Sequence, residues 1–200
     1  MRLWLMPGML ALTLAASGAV ITPTSYTLSP APNSGYPDTG GTELTDGVLA
    51  AGLVNNPATD GVPYVAWQDP AGTPVVTVTF QFSQTFQFTS VEIGALRSDF
   101  FNFAGLPTNV DIAGQDFIVA ANALPDGGRG FLSFNPVGLV ANSVTIEITP
   151  RGTLWLMLDE VRFNGDVVVD SGVPEPSSVG LMVMGLLAIG GRVRRGRRAV

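Results

Sequence analysis

The side chains here that could do chemistry are carboxylates and arginines, because the sequence contains no histidine and no cysteine. The usual general base and the commonest transition-metal ligand are therefore missing. Ser-His-Asp hydrolysis and histidine-based zinc sites are excluded, and so are disulfides and thiol chemistry. Cation sites built from oxygen ligands remain open. The most suggestive acidic pair is Asp159-Glu160, two neighbours in sequence. On a strand, neighbouring side chains point to opposite faces. They are then not a pair facing each other across one bond, as glycoside hydrolysis requires. The expectation is a protein that is not an enzyme.

Charge is distributed unevenly. Arg2 lies at the amino terminus and five arginines lie at the carboxyl terminus. Residues 20–172 keep only Arg97, Arg129, Arg151 and Arg162 against fifteen acids, a net charge of −11, compared with −6 for the whole chain. There is no lysine. A segment this acidic is repelled by nucleic acid phosphates, so no nucleic acid partner is expected. It suits cations or solubility.

The carboxyl terminus has three parts. Pro174-Glu175-Pro176 is followed by an apolar run from Val179 to Ile189, then by Arg192, Arg194, Arg195, Arg197 and Arg198. Eleven apolar residues are short of the roughly 20 that a stable membrane helix needs. A buried core helix is the alternative. Against it stand Gly180, Gly185, Gly190 and Gly191, each costing about 1 kcal/mol relative to alanine inside a soluble helix. The arginines fit a cytoplasmic flank. This order of parts resembles the PEP-CTERM sorting signal of bacterial surface proteins. The resemblance implies export, recognition by an exosortase, and transient insertion in the inner membrane through a short hydrophobic helix. It implies Pro174, Glu175, Pro176, Arg192, Arg194 and Arg195 as the sorting elements, within a segment 173–200.

At the other end, residues 1–19 read as a secretory signal peptide. Arg2 is a thin positive region, Leu3 to Ala16 is apolar, and Ser17-Gly18-Ala19 offers small residues for cleavage before Val20. Between the two ends, residues 20–172 form one domain. Its first part is rich in proline, serine, threonine and glycine, with a short strand near Tyr26 to Leu28. From Val75 the apolar period becomes two. Val76, Val78, Phe80 and Phe82 share one face, and further strands are expected at 90–96, 109–113, 117–121, 131–134, 143–149, 154–163 and 167–169. No helical stripe interrupts them. Short strands joined by Gly/Pro turns predict an all-β sandwich.

The order of features in this middle region is similar to a galactose-binding-like, discoidin-type jelly roll. The matching stretches are Tyr36-Pro37-Asp38-Thr39 with Glu43 to Gly47, Trp67, Val76 to Phe80 with Ser90 to Ile93, Gly105 to Val110, and Trp155 to Phe163. Domains of this kind hold a structural Ca²⁺ between an early Asp-Gly loop and a late glutamate, which implies Asp46 and Glu160 here. The plainer reading makes Asp46 a turn residue and pairs Glu160 with an arginine. The same resemblance places a ligand face on loops at one end of the sandwich. Trp67, Arg97, Phe100, Phe101, Asn102 and Arg129 supply the aromatic and polar groups that sugar recognition needs. Alternatively, the phenylalanines plug the end of the core.

The function these features imply is a non-catalytic module for exopolysaccharide or another glycan, at the surface or in the extracellular matrix of a Gram-negative-type bacterium. A structural surface or biofilm-matrix protein without a small ligand is the alternative. The expected partners are the secretion machinery, the exosortase and extracellular polysaccharide.

Overall fold

The protein is seen in a computed structural model that describes residues 18–51, 63–68, 75–99, 103–152 and 155–169. The segments 1–17, 100–102 and 170–200 lie outside the described residues. They hold the leader, Phe100, Phe101, Asn102, the Pro-Glu-Pro motif and the apolar run.

The described residues form nine strands and no helix. In chain order these are β1 (Ala19–Ile21), β2 (Ser25–Ser29), β3 (Val65–Gln68), β4 (Val76–Leu96), β5 (Asn109–Ile112), β6 (Gln115–Ile118), β7 (Arg129–Phe134), β8 (Val140–Thr149) and β9 (Trp155–Val167). The main path runs β1-β9-β4-β8-β5-β6, with β2 and β7 also on β4 and β3 also on β9. All pairings are antiparallel.

β4 makes this one curled sheet. The sequence predicts two strands, 75–82 and 90–96, but the chain does not turn between them. It continues as a single strand whose pairing shifts between Gln81 and Phe86. The stretch 83–85 carries no glycine or proline to end the strand, and Phe82, Phe86 and Phe88 on either side are buried. The first half of β4 pairs with β2 and β8, and the second half with β9 and β7. β4 thus carries the chain from one layer of the sandwich to the other.

Aromatic side chains fill the space between the layers. Phe163 meets Phe80 at 4.9 Å and Phe82 at 5.0 Å between ring centroids, both edge to face. Tyr26 adds a contact to Phe80 at 5.4 Å. Edge-to-face geometry sets the positive rim of one ring against the negative face of the other.

Other departures from the sequence reading have local causes. β3 has three consecutive buried residues, Val65, Ala66 and Trp67, so no alternation marks it. Val167 closes β9, and Val168 and Val169 are exposed outside any strand. β1 comprises Ala19 and the two residues after it.

Strand registers define two poles. At one, Phe86 in the bend of β4 pairs with Val167, the last residue of β9, and Ala19 pairs with Gly165. At the other, the β4–β5, β6–β7 and β8–β9 connections are tied together: Arg97 N–H donates to Gly128, Gly105 N–H to Trp155, and Thr108 N–H to Thr149. β9 ends at the first pole, opposite these loops.

Replacing Phe163 with alanine should cost about 3–5 kcal/mol in urea unfolding. Replacing Ile118, which is 85% exposed, should change stability by less than about 0.5 kcal/mol.

Candidate functional site

The residues singled out in the sequence fall into two groups around the second half of β4. The first group surrounds Asp159 and Glu160. Alternation along β9 predicts opposite faces for them, but both are buried, Asp159 completely. The register explains this. Gly94 pairs with Glu160 and Ala95 pairs with Leu158, so Asp159 is the extra residue of a bulge. The bulge re-aims the side chains, and both carboxylates hold the same loop. Asp159 Oδ2 accepts the Ala50 N–H at 2.9 Å, and Glu160 Oε2 accepts the Gly47 N–H at 3.0 Å. Leu44 C=O takes the Val161 N–H at 2.7 Å.

Arg129, a candidate ligand contact, is committed within the protein. Its Nε donates to Asp159 Oδ2 at 2.6 Å and its Nη2 to Oδ1 at 3.0 Å. This forked pair is buried, with side-chain exposures of 11% and 0%. The guanidinium carbon lies 4.1 Å from the Phe131 ring centroid, and that of Arg162 lies 4.4 Å from it. Arg162 Nε faces Glu160 Oε1 at 3.8 Å. Gly94 makes room for this cluster, because a Cβ there would collide with Asp159 Oδ1 and Arg129 Nη2.

Asp46 and Glu160 are brought together, because the Asp46-Gly47 turn rests on Glu160. Asp46 Oδ1 accepts the Val48 N–H at 2.8 Å, two residues on, and Gly47 has φ +77°. The plainer reading of Asp46 as a turn residue thus describes one of its oxygens. Burial pushes the Glu160 carboxyl above its ordinary value. The Gly47 N–H and Arg162 oppose this, and the charges of Asp46 and Asp159 add to it. Glu43 is raised by burial and then by Asp46 and Asp38. An oxygen-seeking cation suits such a crowd of like charges, and Asp46 Oδ2 and Glu160 Oε1 lie outside the two N–H bonds. Among the described residues, however, no three His, Cys, Asp or Glu side chains gather as a metal site. A Ca²⁺ here would take most of its 6–8 oxygens from backbone carbonyls and water.

The second group lies at the loop-bearing pole. Arg97 donates to both Asp99 oxygens and, through Nη1, to Leu124 C=O at 2.6 Å. Asp99 N–H donates to Asp126 Oδ1 at 2.7 Å. These bonds join the start of the segment holding Phe100, Phe101 and Asn102 to the β6–β7 loop. Arg151 fastens the same pole from inside, donating to the carbonyls of Leu106, Pro107 and Val119. Sequence reasoning passed over Arg151, although it is one of only four arginines in the domain. Trp67 is only 2% exposed, and its Nε1 donates to Pro30 C=O at 2.9 Å, so its ring is part of the core. Beside this pole a cleft of about 330 Å³ opens between Ile118–Ala123 and Phe131–Phe134.

Residues 172–195 match the family model described as PEP-CTERM protein-sorting motif. The chain carries a PEP-CTERM sorting signal. It is therefore an exported protein handled by an exosortase and directed to the surface or exterior of a Gram-negative bacterium. No curated protein sequence matches it. Among solved structures, it is similar to a chain of the Streptococcus pneumoniae β-galactosidase BgaA. The TM-score is 0.51 at 13% identity, covering 74% of this PEP-CTERM protein and 98% of that chain. The family 32 carbohydrate-binding module of C. perfringens NanJ, in complex with galactose, is similar at TM-score 0.45 and 13% identity, with 74% and 98% covered. A fucolectin from Morone saxatilis, the striped bass, follows at 0.48 and 17%, with 76% and 50% covered. The likeness to the BgaA chain is one of fold, an all-β sandwich.

Two outcomes follow from this geometry. Arg129→Met strands the Asp159 charge and should destabilise the fold by about 3–5 kcal/mol in chemical unfolding. Adding Asp159→Asn should recover part of that loss. For Glu160, the folded state holds its proton more tightly than the unfolded chain does. Its contribution to stability is highest at acid pH and falls as pH rises from the ordinary value of 4.5 through the raised one. Glu160→Gln should remove this fall, seen as a flatter melting-temperature profile across that window.

Proposed function

We propose that the domain is a non-catalytic glycan-binding module of the cell surface or extracellular matrix, with extracellular polysaccharide as its ligand. One observation carries this reading. The loops that can present polar and aromatic groups are fastened together at one pole by Arg97, Asp126 and Arg151. A pre-tied loop cluster also loses little entropy when it binds. The cleft beside Phe131 is large enough for a sugar ring, since ligand pockets begin at roughly 300 Å³.

The site chemistry favours binding over turnover. Asp159 is saturated by Arg129 and Ala50, and Glu160 gives one oxygen to the Gly47 N–H with Arg162 close by. Asp159 is thus committed to the fold, and the two carboxylates both serve the 44–50 loop. The contact residues we assign are Arg97, Phe100, Phe101 and Asn102, while Arg129 is held by Asp159 and lies over Phe131. Ca²⁺, held by Asp46 and Glu160, would staple the 44–50 loop to β9 and supply charge, not reactivity.

Glycan and exopolysaccharide binding to the exported protein tests the reading directly. Asn102→Ala should weaken binding about tenfold, the 1.4 kcal/mol of one good polar contact. Absence of any specific glycan signal would sink the proposal in favour of a purely structural matrix protein. Calorimetry tests the metal. Ca²⁺ at a hundred times its dissociation constant should add about 2.7 kcal/mol, and Asp46→Asn should abolish the gain. Converting Pro174, Glu175 and Pro176 to alanine should leave an unprocessed, membrane-held form on immunoblots of cell fractions.

A further inference from the structure

We propose that the leader is cut on the amino-terminal side of Gly18, at the Ser17–Gly18 bond, so that Gly18 and Ala19 belong to the exported protein. The sequence alone places the cut two residues later, before Val20. The proposal rests on reading the first residues as a cleaved leader, and it concerns where the folded domain begins.

Three observations converge on it. First, Ala19 is part of the sheet. It pairs with Gly165, Val20 pairs with Asn164, and Ile21 pairs with Phe163. A cut before Val20 removes the first of these three pairs. Second, Gly18 is fitted against the folded backbone. A Cβ at Gly18 would stand 2.6 Å from Gly165 N, 2.8 Å from its Cα and 3.0 Å from Thr89 Oγ1. Real side chains do not tolerate such contact, so this crossing works because residue 18 is glycine. Opposite it, a Cβ on Gly165 would run into Gln87 C=O. Two strands pass here with nothing but backbone between them, and a residue discarded with the leader has no need of that fit. Third, β1 completes the cover of one edge. The outer edge of β9 is covered by β3 at 155–158, by Leu44 C=O at Val161, and by β1 at 163–165. A cut before Val20 would open that edge at Gly165, and open strand edges invite unwanted pairing.

The chemistry of leader removal allows the earlier bond. Leader cleavage needs small residues at the bond and two positions before it. Ser17 and Ala15 supply them as well as Ala19 and Ser17 do. Water adds across the Ser17–Gly18 amide, leaving a carboxylate on the leader and an ammonium group on Gly18.

Amino-terminal sequencing and intact mass of the protein recovered from an exporting host decide the matter. A chain beginning at Gly18 supports the proposal, and one beginning at an earlier residue after Met1 overturns the assigned bond. A chain beginning at Ala19, Val20 or later overturns it. A chain still beginning at Met1 overturns the leader reading itself and the proposal with it. Gly18→Ala provides a second readout. If residue 18 is retained, the added methyl group lowers the melting temperature of the mature protein by about 2–4 °C or more. If it is cut away, wild-type and variant proteins are identical in sequence and melt together, which overturns the proposal.

Discussion

Asp159 has no exposed surface, and both of its oxygens are engaged. One oxygen accepts from Arg129 and from the backbone of Ala50, and the other accepts from Arg129 alone. Four separate parts of the chain meet at this carboxylate: β7 through Arg129, β9 through Asp159, the 44–50 loop through Ala50, and β4 through the space that Gly94 leaves. A buried charge is tolerated only when it is paired and hydrogen-bonded. These parts must therefore arrive together or not at all. The bulge at Asp159 then places Glu160 on Gly47, so adjacent acids hold both ends of one short turn.

The second constraint is the length of β4. Twenty-one residues pass from one layer into the other, and Phe82, Phe86 and Phe88 surround the bend. Phe163 closes on that aromatic group from β9. This corner defines one pole, where β1 and the end of β9 lie side by side. The opposite pole carries the loops. Arg97, Asp99, Asp126 and Arg151 tie those loops with charge-assisted bonds, which are stronger than neutral ones. The polarity of the sandwich, with β1 and the end of β9 at one pole and the tied loops at the other, is a consequence of folding β4 over the core.

The PEP-CTERM motif at 172–195 directs the chain to an exosortase. The acidic domain, with only four arginines, keeps most of those cations for internal pairing, and three of them carry out specific structural tasks. The domain itself is a scaffold with one tied cluster of loops.

The sorting signal, the absence of histidine and cysteine chemistry, the acidic balance and the all-β class were all determined by sequence. Each depends on local order or on composition, and neither needs a partner distant in the chain. The period-two stretches at 76–82, 90–96 and 143–149 fall within strands for the same reason, since alternation is a local signature of one buried face. Tertiary structure decided what local pattern cannot encode. It joined two predicted strands into β4, because the core covers both sides of the bend. It placed Asp159 and Glu160 on one loop, because a bulge is a matter of register between strands and not of either strand alone. It assigned Arg129 to Asp159, thirty residues away, and took Trp67 into the core through Pro30. It also drew Gly18 and Ala19 onto β9. An end-to-end pairing nearly 150 residues long leaves no trace in the neighbouring sequence, and its only local mark is a glycine where two backbones must touch.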